Sequence, residues 1–102
     1  MIVRGVNVFP SQIEEFILKS ADLAPHYQCV LSKSGPLDQL TVKVEARPGL
    51  SANSQLARAA AQQLAHQVKT YIGTTAEIEV LDEGGVERSM GKAKRVVDLR
   101  GN

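Results

Sequence analysis

At 102 residues, with 43% apolar and 23% charged side chains, the chain is one small domain with enough apolar material for its own core. Its net charge of +1 gives no whole-molecule case for nucleic acid or for a membrane surface. Cys29 is the single cysteine, which excludes an internal disulfide and a multi-cysteine zinc site, and no apolar run approaches the roughly 20 residues of a membrane span.

Residues 2–8 are short and β-branched, broken by Gly5, and predict an opening strand or extended hinge segment. Ser11-Gln12-Ile13-Glu14 reads as a capping box, in which serine and glutamate satisfy each other's backbone amides. Ile13, Phe16 and Ile17 then mark one buried helical face, and the helix should end near Ala21, ahead of Pro25. A strand is expected over residues 27–33, with Tyr27, Cys29 and Leu31 on one face, followed by a turn at Ser34-Gly35-Pro36. Residues 39–45 alternate, with Leu40, Val42 and Val44 inward and Thr41, Lys43 and Glu45 outward.

Pro48-Gly49 interrupts that pattern. A second helix is predicted over residues 53–72, its stripe made of Leu56, Ala60, Leu64, Val68, Tyr71 and Ile72, with Gly73 as its stop. Residues 76–81 form another strand, residues 83–91 a polar loop with glycines, and residues 95–99 a last short strand. The order β-α-β-β-α-β with a β tail is that of an α+β, split-βαβ (ferredoxin-like) sandwich, with two helices on one face of a small sheet.

Charge is unevenly spread along this order. Arg88, Lys92, Lys94, Arg95 and Arg100 against Asp98 give residues 88–102 a balance of +4 and leave −3 for the rest. Gly91 directly before Lys92 suits a loop that brings a compact cation close to an anionic group. By spacing alone the simpler reading of Lys92 is a solvated lysine in a terminal turn. A second motif at the other end, Arg4-Gly5-Val6-Asn7-Val8-Phe9-Pro10-Ser11-Gln12-Ile13-Glu14-Glu15, reverses that preference.

Together with Arg88-Ser89-Met90-Gly91-Lys92-Ala93-Lys94-Arg95-Val96-Val97-Asp98, this stretch closely resembles the C-terminal domain of AMP-forming adenylating enzymes. The flavour of both motifs is similar to the phenylacetate–coenzyme A ligase branch, and the likeness spans essentially the whole chain. The resemblance implies a single lid domain over residues 1–102 and a large N-terminal domain, not contained in the chain, that binds ATP with magnesium and the aryl acid. It implies no cofactor bound by this chain alone, with ATP and coenzyme A as substrates of the full enzyme. Lys92 would be the catalytic lysine of adenylation, supported in its loop by Gly91 and Arg95. Gly5 with Arg4 would line the passage for coenzyme A, just beyond the family's hinge. The family commonly has a proline a few residues before the Gly-Lys pair, where this chain has Val86-Glu87-Arg88.

The remaining candidates are given structural roles. Arg88 and Arg95 read first as surface charges or ion-pair partners, Asn7 and Glu14 as structural, and Cys29 as a small core residue. His26 and His66 lack any ligand spacing, and no metal site is expected.

The isolated chain is expected to be inactive, since it holds neither a phosphate-cradling loop for ATP nor an acid pocket. No membrane partner is expected, the N-terminus lacks a signal-peptide pattern, and the location expected is cytoplasmic. A sheet face freed from the large domain could pair two copies into a homodimer. The alternative is a stand-alone regulatory or nucleic-acid-binding module of the same fold. Against nucleic acid stands the small number of aromatics, Phe9, Phe16, Tyr27 and Tyr71.

Overall fold

The computed structural model describes residues 1–87 and 95–101. Gly91, Lys92 and Arg88 lie outside the described residues. The chain opens with a hairpin, β1 (Ile2–Val3) against β2 (Val6–Asn7), joined by the two residues Arg4 and Gly5. Both turn residues have positive φ, 49° and 79°. Such mirror-image turns match the twist of paired strands, and glycine takes the second position at no steric cost. Residues 2–8 are therefore folded back on themselves and stay out of the main sheet. Val3 and Val8 are fully buried beneath that hairpin.

Helix α1 (Pro10–Lys19) begins earlier than its expected cap. Phe9 is the N-cap, and its N–H donates to Gln12 Oε1 at 3.0 Å while Gln12 N–H donates to the Phe9 carbonyl at 2.9 Å. Proline is preset for the first helical position, so Pro10 moves the start upstream of Ser11 and frees Glu14 from capping. Ile13 and Ile17 are fully buried, as their spacing predicts.

Strand β3 (Leu23–Ser34) starts before the expected residue 27 and carries Pro25 inside it. Its pairing with β4 (Leu37–Ala46) is irregular between Leu23 and Tyr27, and regular from Tyr27↔Val44 to Ser34↔Leu37. Proline has no N–H for the ladder, which accounts for a break at that point. Tyr27, Cys29 and Leu31 face Leu40, Val42 and Val44 in the core, as expected.

Glu45 keeps the outward phase expected of it but not the exposure. It is fully buried, and its carboxylate accepts N–H groups from Gly84 at 2.9 Å and Val86 at 3.0 Å. Alternation assumes one wet face, but residues 84–86 fold back over the outer face at this end of the sheet. Gly85 belongs to that close approach, since a Cβ there would meet Leu81 Cβ at 2.7 Å.

Helix α2 (Gln55–Gln67) is capped by Ser54, whose Oγ accepts the Ala57 N–H at 3.1 Å, and continues as a π-helical turn (Val68–Ile72) to Gly73. Its buried stripe is Ala57, Ala60, Leu64 and Val68. Leu56 and Tyr71, expected in that stripe, are 52% and 72% exposed. The wider π turn rotates the residues after Val68 out of α-helical phase, so Tyr71 meets Phe16 of α1 instead, ring centres 5.8 Å apart.

Strands β5 (Ala76–Leu81) and β6 (Val96–Asp98) run parallel to β4 and β3, giving the order β5-β4-β3-β6. The α+β sandwich of a small sheet with two helices is thus the fold, with the short C-terminal strand holding the edge beside β3.

Candidate functional site

The Arg4–Gly5 turn stands exposed at the tip of its hairpin and is tied down by polar contacts. Asp38, near the start of β4, accepts the Arg4 N–H at Oδ2 (3.3 Å) and Arg4 Nε at its carbonyl oxygen (2.8 Å). Arg100 reaches the same assembly from the C-terminal end. Its Nη1 donates to the Ile2 carbonyl at 2.7 Å and lies 3.3 Å from Asp38 Oδ2. Its Nε and Nη2 engage the two Asp98 carboxylate oxygens at 3.0 Å each. The Arg100 hydrogen bonds hold the Asp98 carboxyl down at about 2.

A second cluster stands where the chain re-enters the described residues at Arg95. Its guanidinium lies over the Tyr27 ring, 4.4 Å from the centroid, and Nη1 donates to the Tyr27 carbonyl at 3.2 Å. Glu14 completes the group, accepting the Tyr27 hydroxyl at 3.0 Å and facing Arg95 Nη2 at 3.8 Å. Burial first, and then the hydrogen bond and charge of Glu14, push the Tyr27 hydroxyl well above its ordinary range. The Arg95 carbonyl accepts the Cys29 N–H at 2.7 Å, which starts the parallel pairing of β6. The described residues that flank 88–94 are thus a loop held by Glu45 before it and Arg95, stacked on Tyr27, after it.

Arg4 and Gly5 are thus adjacent at one exposed tip, and Arg95 anchors the far end of the lysine-bearing motif. Gly91 and Lys92 fall between the two described ends of that motif. Reasoning from sequence missed Glu45, Asp38 and Arg100, and read Glu14 only as a cap partner. No local signal marks Asp38 or the reach of Arg100 beyond Asp98, since Arg4 lies 34 residues from Asp38 and Ile2 lies 98 from Arg100. Cys29 is buried, and desolvation pushes its thiol up to about 12, in keeping with a core role. Among the described residues no group of His, Cys, Asp and Glu could hold a metal ion, and no helix is long and apolar enough to cross a membrane.

The aromatics also bear on nucleic acid. Tyr27 is buried against α1, Phe16 and Tyr71 stack between helical elements, and Phe9 caps α1. None of the four stands on the open face of the sheet, where base stacking would need them.

Residues 5–100 match the family described as the AMP-binding enzyme C-terminal domain, and the chain belongs to that family. Within it, the likeness runs to phenylacetate–coenzyme A ligases: 46% identity over 103 residues with that of Aromatoleum evansii and 44% over 101 residues with that of Escherichia coli. Both alignments cover 98% of this chain and 23% of the relative, so the chain spans about a quarter of the length of the curated proteins it matches. A crystal structure of a domain of phenylacetate–coenzyme A ligase from Bacteroides vulgatus superposes with a TM-score of 0.88 at 31% identity, over 99% of this chain and 92% of that one. A 2-hydroxyisobutyryl-CoA ligase, solved with 2-HIB-AMP and CoA in its thioesterification state, matches with a TM-score of 0.85 at 25% identity, covering 98% of this chain and 21% of that one.

Proposed function

We propose that this domain is the mobile C-terminal lid of an ATP-dependent, AMP-forming ligase that joins an aryl acid, phenylacetate or a close analogue, to coenzyme A. Its partner is the large domain that carries ATP with its magnesium and the acid, and the enzyme acts in the cytoplasm. The observation that carries the reading is the likeness to phenylacetate–coenzyme A ligases over 98% of the chain, a span that takes in both end motifs.

In the first half-reaction a carboxylate oxygen attacks the α-phosphorus of ATP and pyrophosphate leaves with the electrons of the broken P–O bond. Negative charge grows on the α-phosphoryl oxygens. The Lys92 ammonium stabilises that charge and, by touching both carboxylate and phosphate, fixes their approach. Gly91 leaves room beside it, and Arg95 holds the end of its segment. In the second half-reaction the thiol of coenzyme A loses its proton, sulfur attacks the acyl carbonyl, and AMP departs. Rotation of the lid brings the Arg4–Gly5 turn to the passage through which the pantetheine arm enters.

Lys92→Ala in the full-length ligase tests this reading. Loss of one preplaced electrostatic donor costs about 10²–10³ in rate, so acid-dependent ATP–pyrophosphate exchange should fall by at least that much. Thioester formation from a synthetic acyl adenylate should persist. Exchange at a near-normal rate would remove Lys92 from the mechanism.

A further inference from the structure

We propose that Asp38 and Arg100 are positioning residues for the thioester half-reaction, holding the Arg4–Gly5 turn in the one conformation that serves coenzyme A. The inference rests on the reading of that turn as part of the coenzyme A passage.

Arg4 carries the burden of the turn. A non-glycine residue at φ 49° sits in the left-handed region, where Cβ crowds the following carbonyl and most side chains are disfavoured. Something must hold it there, and strands of two residues each supply little pairing. Val8, its backbone paired with Met1, fixes the base of the hairpin, and buried Val3 closes the strands opposite Val6, while Arg4 and Gly5 at the tip are exposed. At the tip the tie is Asp38, which takes the Arg4 backbone N–H on its carboxylate and the Arg4 side chain on its carbonyl. These two contacts together select one backbone direction at Arg4 as well as one side-chain direction.

Asp38 is itself held. Arg100 Nη1 bridges from the Asp38 carboxylate to the Ile2 carbonyl, so a single guanidinium group spans β4 and the outer edge of β1. Asp98 grips the remaining Arg100 nitrogens and prevents the side chain from swinging away. The side chains of Asp38 and Arg100 are 23% and 21% exposed, well below a typical surface pair. The C-terminal end of the chain thereby sets the geometry of a turn at its N-terminal end. Because the hairpin base is secured separately, losing the tie should loosen the turn without unfolding the domain.

The test separates the two half-reactions in the full-length ligase. Asp38→Ala, Asp38→Asn and Gly5→Val are compared for ATP–pyrophosphate exchange without coenzyme A and for single-turnover thioester formation from preformed acyl adenylate. Small misplacements near a reacting group can cost up to about 10²-fold. The expected result is a thioester step slowed about tenfold in Asp38→Ala, with a raised KM for coenzyme A and exchange within about twofold of normal. Asp38→Asn keeps an acceptor for the Arg4 N–H and should recover part of the loss. Equal slowing of both steps, or a thioester step unchanged in Asp38→Ala while Gly5→Val is slow, would overturn the proposal and leave the reading of the turn intact. A normal thioester step in Gly5→Val would remove the turn from the passage, and the proposal with it.

Discussion

At the Arg4–Gly5 turn the polar ties are made near the surface, and each involves at least one charged side chain that water and salt can reach. At the opposite end of the chain, the loop that leads to residue 88 is held by Glu45, a carboxylate with no exposed surface. The two stretches frame the same proposed chemistry, one for each half-reaction, yet they are secured by different physics. An exposed network sets orientation and contributes little to stability. A buried carboxylate that satisfies two backbone donors is costly to disturb, because its removal leaves the buried Val86 N–H without that acceptor. The turn can therefore be retuned by surface mutation, whereas the stem of the lysine-bearing segment is fixed to the core.

The strongest way to break this comparison is Glu45→Leu. The buried Val86 N–H would lose its acceptor at about 1–3 kcal/mol and the half-buried Gly84 N–H at less, so urea unfolding should show a loss of about 2–4 kcal/mol. Glu45→Gln keeps one acceptor oxygen and should fall between. A change below about 0.5 kcal/mol for Glu45→Leu, the size expected of ordinary surface positions, would mean that the carboxylate is not the fastener of that loop.

Gly5 gives the next largest effect and sharpens the other side. A Cβ at Gly5 meets nothing within 4 Å in this domain, so substitution costs backbone strain and not a clash. Gly5→Val should destabilise by about 1–2 kcal/mol, while Gly5→Asn, which tolerates the left-handed region, should cost much less. If both variants nevertheless slow the thioester step in the full ligase, the side chain itself obstructs the passage. If only valine does, strain in the turn is the cause.

The smallest effect belongs to the exposed network. Asp98→Asn should change stability only slightly, and the change should shrink as salt is raised. Its pH dependence has a definite sign. The Asp98 carboxyl is lowered from 3.8 to about 2, so its contribution is fully present above the ordinary value and disappears as pH falls towards 2. Unfolding measured between pH 5 and 2 in the parent and in Asp98→Asn should converge only at the acid end.

The sequence by itself determined a good deal. The alternation of Leu40, Val42 and Val44, the spacing of Ile13 and Ile17, and the stop at Gly73 are local patterns whose periodicity states which side faces the core. The two end motifs carry the family because they are contiguous runs of residues, and contiguous information survives without coordinates. Arg95 was legible as an ion-pair partner, though not its place over Tyr27.

Tertiary structure alone decided the rest. Glu45 obeys the outward phase of its strand and is buried all the same, because a loop about 40 residues further on covers that face. The capping pair passed from Ser11 and Glu14 to Phe9 and Gln12 once Pro10 took the first helical position, and Glu14 then turned to Tyr27. Residues 2–8 became a separate hairpin, and β6 took the sheet edge. Asp38 and Arg100 meet only because β4, β1 and the chain end converge at one corner. Periodicity states which way a side chain points from its own element. What lies in that direction depends on contacts between residues far apart in the chain, and these exist only in the folded molecule.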